Sequence, residues 1–150
     1  MTTTPDSLRD TIKEILNSQS LAVLATTTGS SPYTSLVGFM ASQDLKEIYF
    51  ATFINTRKYQ NISKHSRVAL LIDSRTNRAD DFKNSSALTI LGDAETVLKG
   101  QRDTLLSLYL DKFSHLQDFI SDPQCALVRI RVTKYIVVQR FQEVFEFIVQ

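Results

Sequence analysis

The 150-residue sequence contains one cysteine, two histidines and no excess of either charge, and each shortage narrows what the protein can be. Because Cys125 is alone, the chain can form neither an internal disulfide nor a metal site built from paired cysteines. Seventeen basic and sixteen acidic residues leave a net charge of +1. That near-balance disfavours a broad surface for nucleic acid or for an anionic membrane, so we predict neither partner.

The sequence also lacks a long apolar run. No segment is long enough to cross a bilayer, and the first residues, MTTTPDSLRD, show neither the basic start nor the apolar stretch of a secretory signal. We therefore expect a cytoplasmic protein. A chain of this length is most simply one domain with a substantial core, and we predict a single domain over residues 1–150.

Several motifs of known chemistry are absent. No GxGxxG follows the first strand, no phosphate loop ends in Gly-Lys-Ser/Thr, and there is no His-Glu-x-x-His. His65 and His115 fall at the end of one predicted helix and within another, where a capping or solvated role is the simplest interpretation. Asp80 and Asp81 stand together in a polar loop, a setting in which carboxylates usually face water. We therefore assign no catalytic residue and no metal ligand.

The pattern of apolar residues predicts a mainly β protein of the α+β class. Strands are predicted at 21–28, 33–41, 47–52, 67–73, 85–98, 125–138 and 144–149, and helices from Thr4-Pro5, at 56–65 and at 101–121. Consecutive hairpins joined by short polar turns favour an antiparallel sheet. With about seven strands in one domain, a closed or half-closed barrel removes exposed edges, so we predict an antiparallel six- to seven-stranded β-barrel with flanking helices. Gly92 marks a candidate bulge.

The clearest candidate site lies in the stretch IYFATFINTRKYQNISKHSRVALLID, residues 48–73. If Thr56 caps the helix that follows, the amides of the first turn are free and the helix dipole adds partial positive charge. Arg57 could then bind an anion through two hydrogen bonds from its planar guanidinium group, and Lys58 would add a point charge. Alternatively, Thr56 is only a cap and both cations face water. Cations in a first turn oppose the dipole, which favours an anion such as a phosphate.

The strings PYTSLVGFM, EIYFAT and TRKYQNI…RVALLID resemble those of the pyridoxamine 5′-phosphate oxidase-related flavin-binding proteins. The resemblance covers about residues 21–95, and it implies a split β-barrel that forms a homodimer and binds FMN at the subunit interface. It implies that Thr56, Arg57 and Lys58 bind the FMN phosphate. It also places parts of the second and third strands beside the flavin, namely Ser35, Leu36, Val37, Gly38, Ala51 and Thr52. At Gly38 the absence of a side chain would let a flat ring approach the backbone.

The resemblance does not extend to the residues that bind the substrate in the true oxidases. True pyridoxamine phosphate oxidases resemble this chain at the second strand but carry arginine at the position of Ser35 and lysine at that of Met40. They place a glutamine near the start of the fifth strand, at the position of Ala87. Their Arg-Leu-x-Pro ending is absent from QRFQEVFEFIVQ. We therefore predict a relative that keeps the cofactor half of the site and lacks the half that binds pyridoxamine phosphate.

The function that this resemblance implies is an FMN-dependent oxidoreductase with a small-molecule electron donor or acceptor. Alternatives stay open: the same fold could bind a deazaflavin coenzyme or haem, or FMN could be carried without a dedicated substrate. A non-catalytic module that stacks single-stranded nucleic acid on Tyr33, Tyr49, Phe53 and Tyr59 is disfavoured by the low net charge. Within the phosphate site we expect Arg57→Ala to weaken binding more than Lys58→Ala, because a bidentate contact is lost.

Overall fold

The computed structural model describes residues 4–140 and 142–150 and, within them, seven strands, five α-helices and one 3₁₀ turn. The strands are β1 Leu21–Thr27, β2 Pro32–Ala41, β3 Glu47–Phe53, β4 Arg67–Asp73, β5 Ala87–Thr96, β6 Cys125–Gln139 and β7 Glu143–Ile148. The helices are α1 Pro5–Ser18, α2 Arg57–Lys64, α3 Asp81–Asn84, α4 Lys99–Lys112 and α5 Gln117–Ser121, with the 3₁₀ turn at Ser114–Leu116. None of the helices described has both the length and the apolar character needed for a membrane span.

The strands form one antiparallel sheet in the order β3-β2-β1-β4-β5-β6-β7. The first half of β6 also pairs with β3, from Glu47↔Arg131 to Phe53↔Cys125, and this pairing closes the first six strands into a barrel. The second half of β6 pairs with β7, which lies outside the barrel. The prediction of a mainly β, antiparallel barrel of six to seven strands with flanking helices is confirmed.

The core fills the barrel because successive side chains of a strand point to opposite faces. In β1, β4 and β5 every second side chain is buried, and Leu24, Leu70 and Ile90 are almost fully enclosed. Helix α1 begins as the sequence predicts, with the Thr4 hydroxyl accepting a hydrogen bond from the Ser7 amide at 3.2 Å. Its apolar face packs into the same core through Leu8, Ile12, Ile15 and Leu16.

Two segments differ from the sequence-based prediction. The helix predicted over 101–121 is broken at Phe113, whose backbone lies outside the helical region at φ −126° and ψ 61°. The break lets the Phe113 ring reach a buried position, and packing there outweighs the continuing helical periodicity. His115 therefore lies in the 3₁₀ turn. The polar loop predicted around Asp80 and Asp81 contains the short helix α3, whose first residue, Asp81, accepts backbone hydrogen bonds from Thr76 and Asn77 through its carboxylate.

Gly92 lies at a bulge in the pairing of β5 with β6, as the sequence suggests, and the register shifts between Leu91 and Gly92. A Cβ atom added at Gly92 would lie 2.8 Å from Ile130 Cγ2 and still closer to the Arg131 carbonyl oxygen. Since the second obstacle is backbone, it cannot move aside as a flexible side chain could. Only glycine fits at this position of the barrel.

We expect Gly92→Ala to lower the free energy of unfolding by about 2 kcal/mol, within the usual cost of overpacking. Urea denaturation measures the change. Gly100→Ala is the matched control, because a Cβ atom there meets nothing within 4 Å and Gly100 lies in α4, where alanine is the better helix former. Equal losses of stability in the two variants would contradict the steric explanation.

Candidate functional site

The barrel is split between β2 and β3. These strands pair only at Phe39↔Phe50, Met40↔Tyr49 and Ala41↔Ile48. The same register would continue through Gly38↔Ala51, Val37↔Thr52 and Leu36↔Phe53, a part of the chain that the structure describes completely, but those three pairs are not formed. Beyond these three pairs, β2 remains paired only with β1, and β3 remains paired only with β6. Backbone groups that face the split therefore lack a ladder partner.

A cavity of about 270 Å³ occupies this split. Its walls are the six residues of the three unformed pairs, the start of α2 and part of the segment from α4 to α5. The lining residues are Leu36, Val37, Gly38, Ala51, Thr52, Phe53, Thr56, Lys58, Tyr109, Leu116 and Phe119. Seven of the nine residues predicted to bind a cofactor thus come together around one cavity; Ser35 and Arg57 lie outside its lining.

Thr56 ties the start of α2 to the end of β3. Its hydroxyl accepts a hydrogen bond from the Tyr59 amide at 3.4 Å, as expected of a helix cap, and donates one to the Phe53 carbonyl at 2.8 Å. The Thr52 hydroxyl lies 3.1 Å from that of Thr56. Within the described residues no acceptor bonds the amides of Arg57 and Lys58. The first turn of α2 therefore offers free donors beside the cavity.

The two cations of this elbow have no anionic partner among the residues that the structure describes. Lys58 is half-buried in the cavity wall, and burial lowers the pKa of its amine. Arg57 is exposed, with its guanidinium carbon 5.3 Å from the centre of the Tyr33 ring. Neither forms an ion pair with any residue in the described part of the chain. An anion in the split would supply the opposite charge that both lack.

Ser35 lies one residue beyond the cavity. It pairs with Leu24 of β1, and its hydroxyl oxygen is buried without a hydrogen-bond partner among the described residues. Nearby, α2 is anchored to β1 by the buried Asn61 amide, which donates to the Thr26 hydroxyl at 3.0 Å. The anchor fixes where the helix begins relative to the split.

Sequence reasoning missed the wall contributed by α4, the 3₁₀ turn and α5. The Tyr109 hydroxyl donates to the Gly38 carbonyl at 2.9 Å, and burial raises the pKa of Tyr109 to about 12. A Cβ atom at Gly38 would lie 3.2 Å from both the Tyr109 oxygen and the Phe113 ring. The space expected beside Gly38 for a flat ring is thus filled by this chain's own aromatic side chains. No local signal could reveal this contact, since Gly38 and Tyr109 are 71 positions apart.

Lys112 holds the end of α4 against the barrel. Its ammonium group donates to the Gln19 carbonyl at 2.9 Å and lies 4.0 Å from the centre of the Phe39 ring. Burial lowers the pKa of Lys112 to about 8. The contact keeps the preceding turn, with Tyr109, over the split.

The lowered pKa predicts a pH-dependent stability. Between about pH 8 and 10.5 the unfolded chain binds more protons at Lys112 than the folded chain, so this residue's contribution to stability rises with pH across that window. Lys112→Met removes the titration and keeps an unbranched side chain. We expect the free energy of unfolding of the wild type, minus that of the variant, to increase through this window in urea denaturation. A difference independent of pH would contradict the assignment.

Comparison with known proteins agrees with this geometry. The sequence profile described as pyridoxamine 5′-phosphate oxidase matches residues 8–139, which is most of the chain. The chain belongs to the pyridoxamine 5′-phosphate oxidase family. No curated protein sequence matches it. The match includes both sides of the split, the elbow at Thr56 and the segment from α4 to α5, so the whole candidate site lies within the matched residues.

Solved structures share the fold of this pyridoxamine 5′-phosphate oxidase family member at low sequence identity. A haem-binding protein from Mycobacterium smegmatis superposes with a TM-score of 0.78 and 18% identity, covering 89% of this chain and 55% of that one. General stress protein 26 from Bacillus anthracis gives 0.68 and 20%, covering 93% and 98%. An FAD-binding protein from Mesorhizobium loti gives 0.68 and 16%, covering 86% and 90%. Relatives of this fold therefore include proteins that bind flavin and proteins that bind haem.

Proposed function

We propose that this protein binds FMN in the split between β2 and β3, with the phosphate at the start of α2. The observation that carries the proposal is the elbow itself: within the described residues, two cations without counter-ions and two backbone amides without acceptors stand beside a cavity. A phosphate monoester carries about −1.5 to −2 charges at neutral pH and accepts several hydrogen bonds. Thr56, Arg57 and Lys58 would supply both the positive charge and the hydrogen-bond donors that such a group requires.

The flavin part of the cofactor would lie along the unpaired edges of β2 and β3. Because Ser35 and Val37 bond to β1, the amide and carbonyl of Leu36 face the split and are free for a ligand. Ala51 and Thr52 form the facing edge. Gly38 would contribute less directly than the sequence suggests, since Tyr109 occupies the space beside it.

The size of the cavity supports a homodimer with the cofactor at the interface. At about 270 Å³ the cavity falls below the roughly 300–1,000 Å³ of pockets that enclose ligands of this size. A second copy would complete the walls. Its contact face would be the outer surface of β2, β1, β4, β5 and β6. Cross-strand pairing aligns a row there that is exposed at Leu36 and Leu71 and half-buried at Val23, Thr89 and Ile136. Leu36 is 63% exposed and also lines the cavity, so the face and the site are continuous.

We expect Leu71→Asp to shift the protein from dimer to monomer, because it places a charge in the middle of this apolar face. Size-exclusion chromatography with light scattering at micromolar concentration measures the mass. Leu98→Asp is the control: Leu98 is 79% exposed but lies at the start of α4, away from the proposed interface, and that variant should stay dimeric. A wild-type monomer, or a dimer in both variants, would argue against this interface.

Bound FMN would supply hydride or electron transfer, so the activity that fits best is that of an oxidoreductase. The chain's own residues would bind the phosphate and orient the ring; no acid or base is assigned. Haem stays a competing ligand, because the cavity wall includes Tyr109 and tyrosine is among the residues that can hold haem iron. A deazaflavin coenzyme and a carrier role without a substrate remain the competing proposals.

The visible absorption spectrum of freshly purified protein tests the proposal most directly. We expect flavin absorption, and FMN should be released when the protein is denatured. Titration of the stripped protein with FMN, a deazaflavin and haem then ranks the ligands. Reduction by a nicotinamide nucleotide, followed by stopped-flow, separates a dehydrogenase from a carrier. A colourless protein that does not take up FMN would overturn the proposal.

The positions of the two cations support a proposal opposite to the order of importance expected from sequence. Lys58 lines the cavity, whereas the Arg57 side chain lies outside it over Tyr33. We expect Lys58→Ala to weaken FMN binding about tenfold or more, the loss of a charge-assisted hydrogen bond, and Arg57→Ala about threefold. Fluorescence titration measures both. Lys64→Ala removes the same charge from the other end of α2 and should bind as the wild type does; equal weakening in all three would indicate only a loss of overall charge.

A further inference from the structure

At the first position where β2 and β3 do not pair, a side chain takes the place of the missing backbone hydrogen bonds. The Phe39 amide bonds to the Ser20 carbonyl beside β1, so the backbone groups of the next residues on either side, Gly38 and Met40, face β3. Met40 forms its pair with Tyr49. The next hydrogen-bonded pair of the ladder would be Gly38 with Ala51, and it is there that the strands part.

The Tyr109 hydroxyl occupies the place of this missing pair. It donates to the Gly38 carbonyl at 2.9 Å. Burial raises the pKa of this hydroxyl, and the Ala51 backbone amide lowers it by a smaller amount. Tyr109 is 1% exposed. The insertion leaves little room at position 38, because a Cβ atom there would lie 3.2 Å from the phenol oxygen, closer than an ordinary contact.

We propose that Tyr109 is a spacer between β2 and β3, a positioning residue whose hydroxyl replaces the Gly38–Ala51 backbone pair and holds the split open. Its importance for a ligand rests on the proposed FMN site, which occupies the same split. Without a spacer, the register would allow three more pairs between the strands, and these would consume the backbone edges and the cavity. Lys112, three residues on, fixes the end of the helix that presents the spacer.

A spacer differs from an ordinary core residue in what its hydroxyl does. A packing role would need only the ring, which phenylalanine keeps. The spacer role needs the oxygen, since it meets the Gly38 carbonyl, which β3 leaves unpaired in the described chain. Tyr109→Phe therefore separates the two roles with minimal change in volume.

The test compares Tyr109→Phe with Tyr135→Phe. Tyr135 is the matched control: it is fully buried, and its hydroxyl also donates to a backbone carbonyl, that of Leu45 at 2.7 Å, away from the split. Two quantities are measured: the Kd for FMN by fluorescence titration, and amide hydrogen exchange at Ala51 in protein without FMN. Thr52, whose amide belongs to the β3–β6 ladder, serves as the internal reference for exchange.

We expect Tyr109→Phe to raise the Kd about tenfold, because strands that close in the free protein must part again to admit FMN at a cost of about one buried hydrogen bond, and Tyr135→Phe to leave it unchanged. Exchange at Ala51 should change relative to Thr52 only in Tyr109→Phe. It will be faster if the amide is left without a partner and slower if the strands close, and either shows that the hydroxyl held the pair. Unchanged exchange at Ala51 would overturn the spacer, as would equal effects of both variants on Kd. If the wild type binds no FMN, the proposed function fails, but the exchange result still decides the spacer.

Discussion

The structure depends on one interruption in an otherwise continuous ladder of hydrogen bonds. A closed antiparallel barrel satisfies its own backbone groups, and here β2 and β3 stop doing so after three pairs. Unpaired backbone groups are costly inside a protein, so an interruption of the ladder persists only where another hydrogen-bonding group takes the place of the missing strand. At Gly38 the Tyr109 hydroxyl does so. Farther along, at Leu36, the edge is open to the cavity, which is where we propose that a ligand binds.

The elbow between β3 and α2 gives the split its charge. The protein as a whole is almost neutral, yet Arg57 and Lys58 stand together in the one turn of α2 where the helix dipole opposes cations. Thr56 binds the helix start to the end of β3, so this charge is fixed beside the cavity. A buried or half-buried cation without a partner is unfavourable by itself and becomes favourable with an anion. This charge is the basis on which we propose a phosphate site at the elbow.

The departures from the true oxidases have a visible structural counterpart. Met40, at the position where those enzymes carry a lysine, packs between β3 and α4 beside Tyr49 and Leu127. Ser35, at the position of their arginine, has a buried hydroxyl and no partner among the described residues. Ala87 lies in another cavity, near Phe82. Within one subunit these three positions therefore lie in different surroundings, although the family match spans all of them.

The sequence by itself determined the features that depend on residues close together in the chain. Period-two alternation placed the strands, Thr4 and Thr56 marked the helix starts, and the cations of the elbow pointed to an anion site. Only the tertiary structure decided where the barrel splits, that α4 ends at Phe113, and that Tyr109 fills the space beside Gly38. Strand pairing and side-chain packing join residues far apart in the chain, and their energies outweigh the local preferences that a sequence displays.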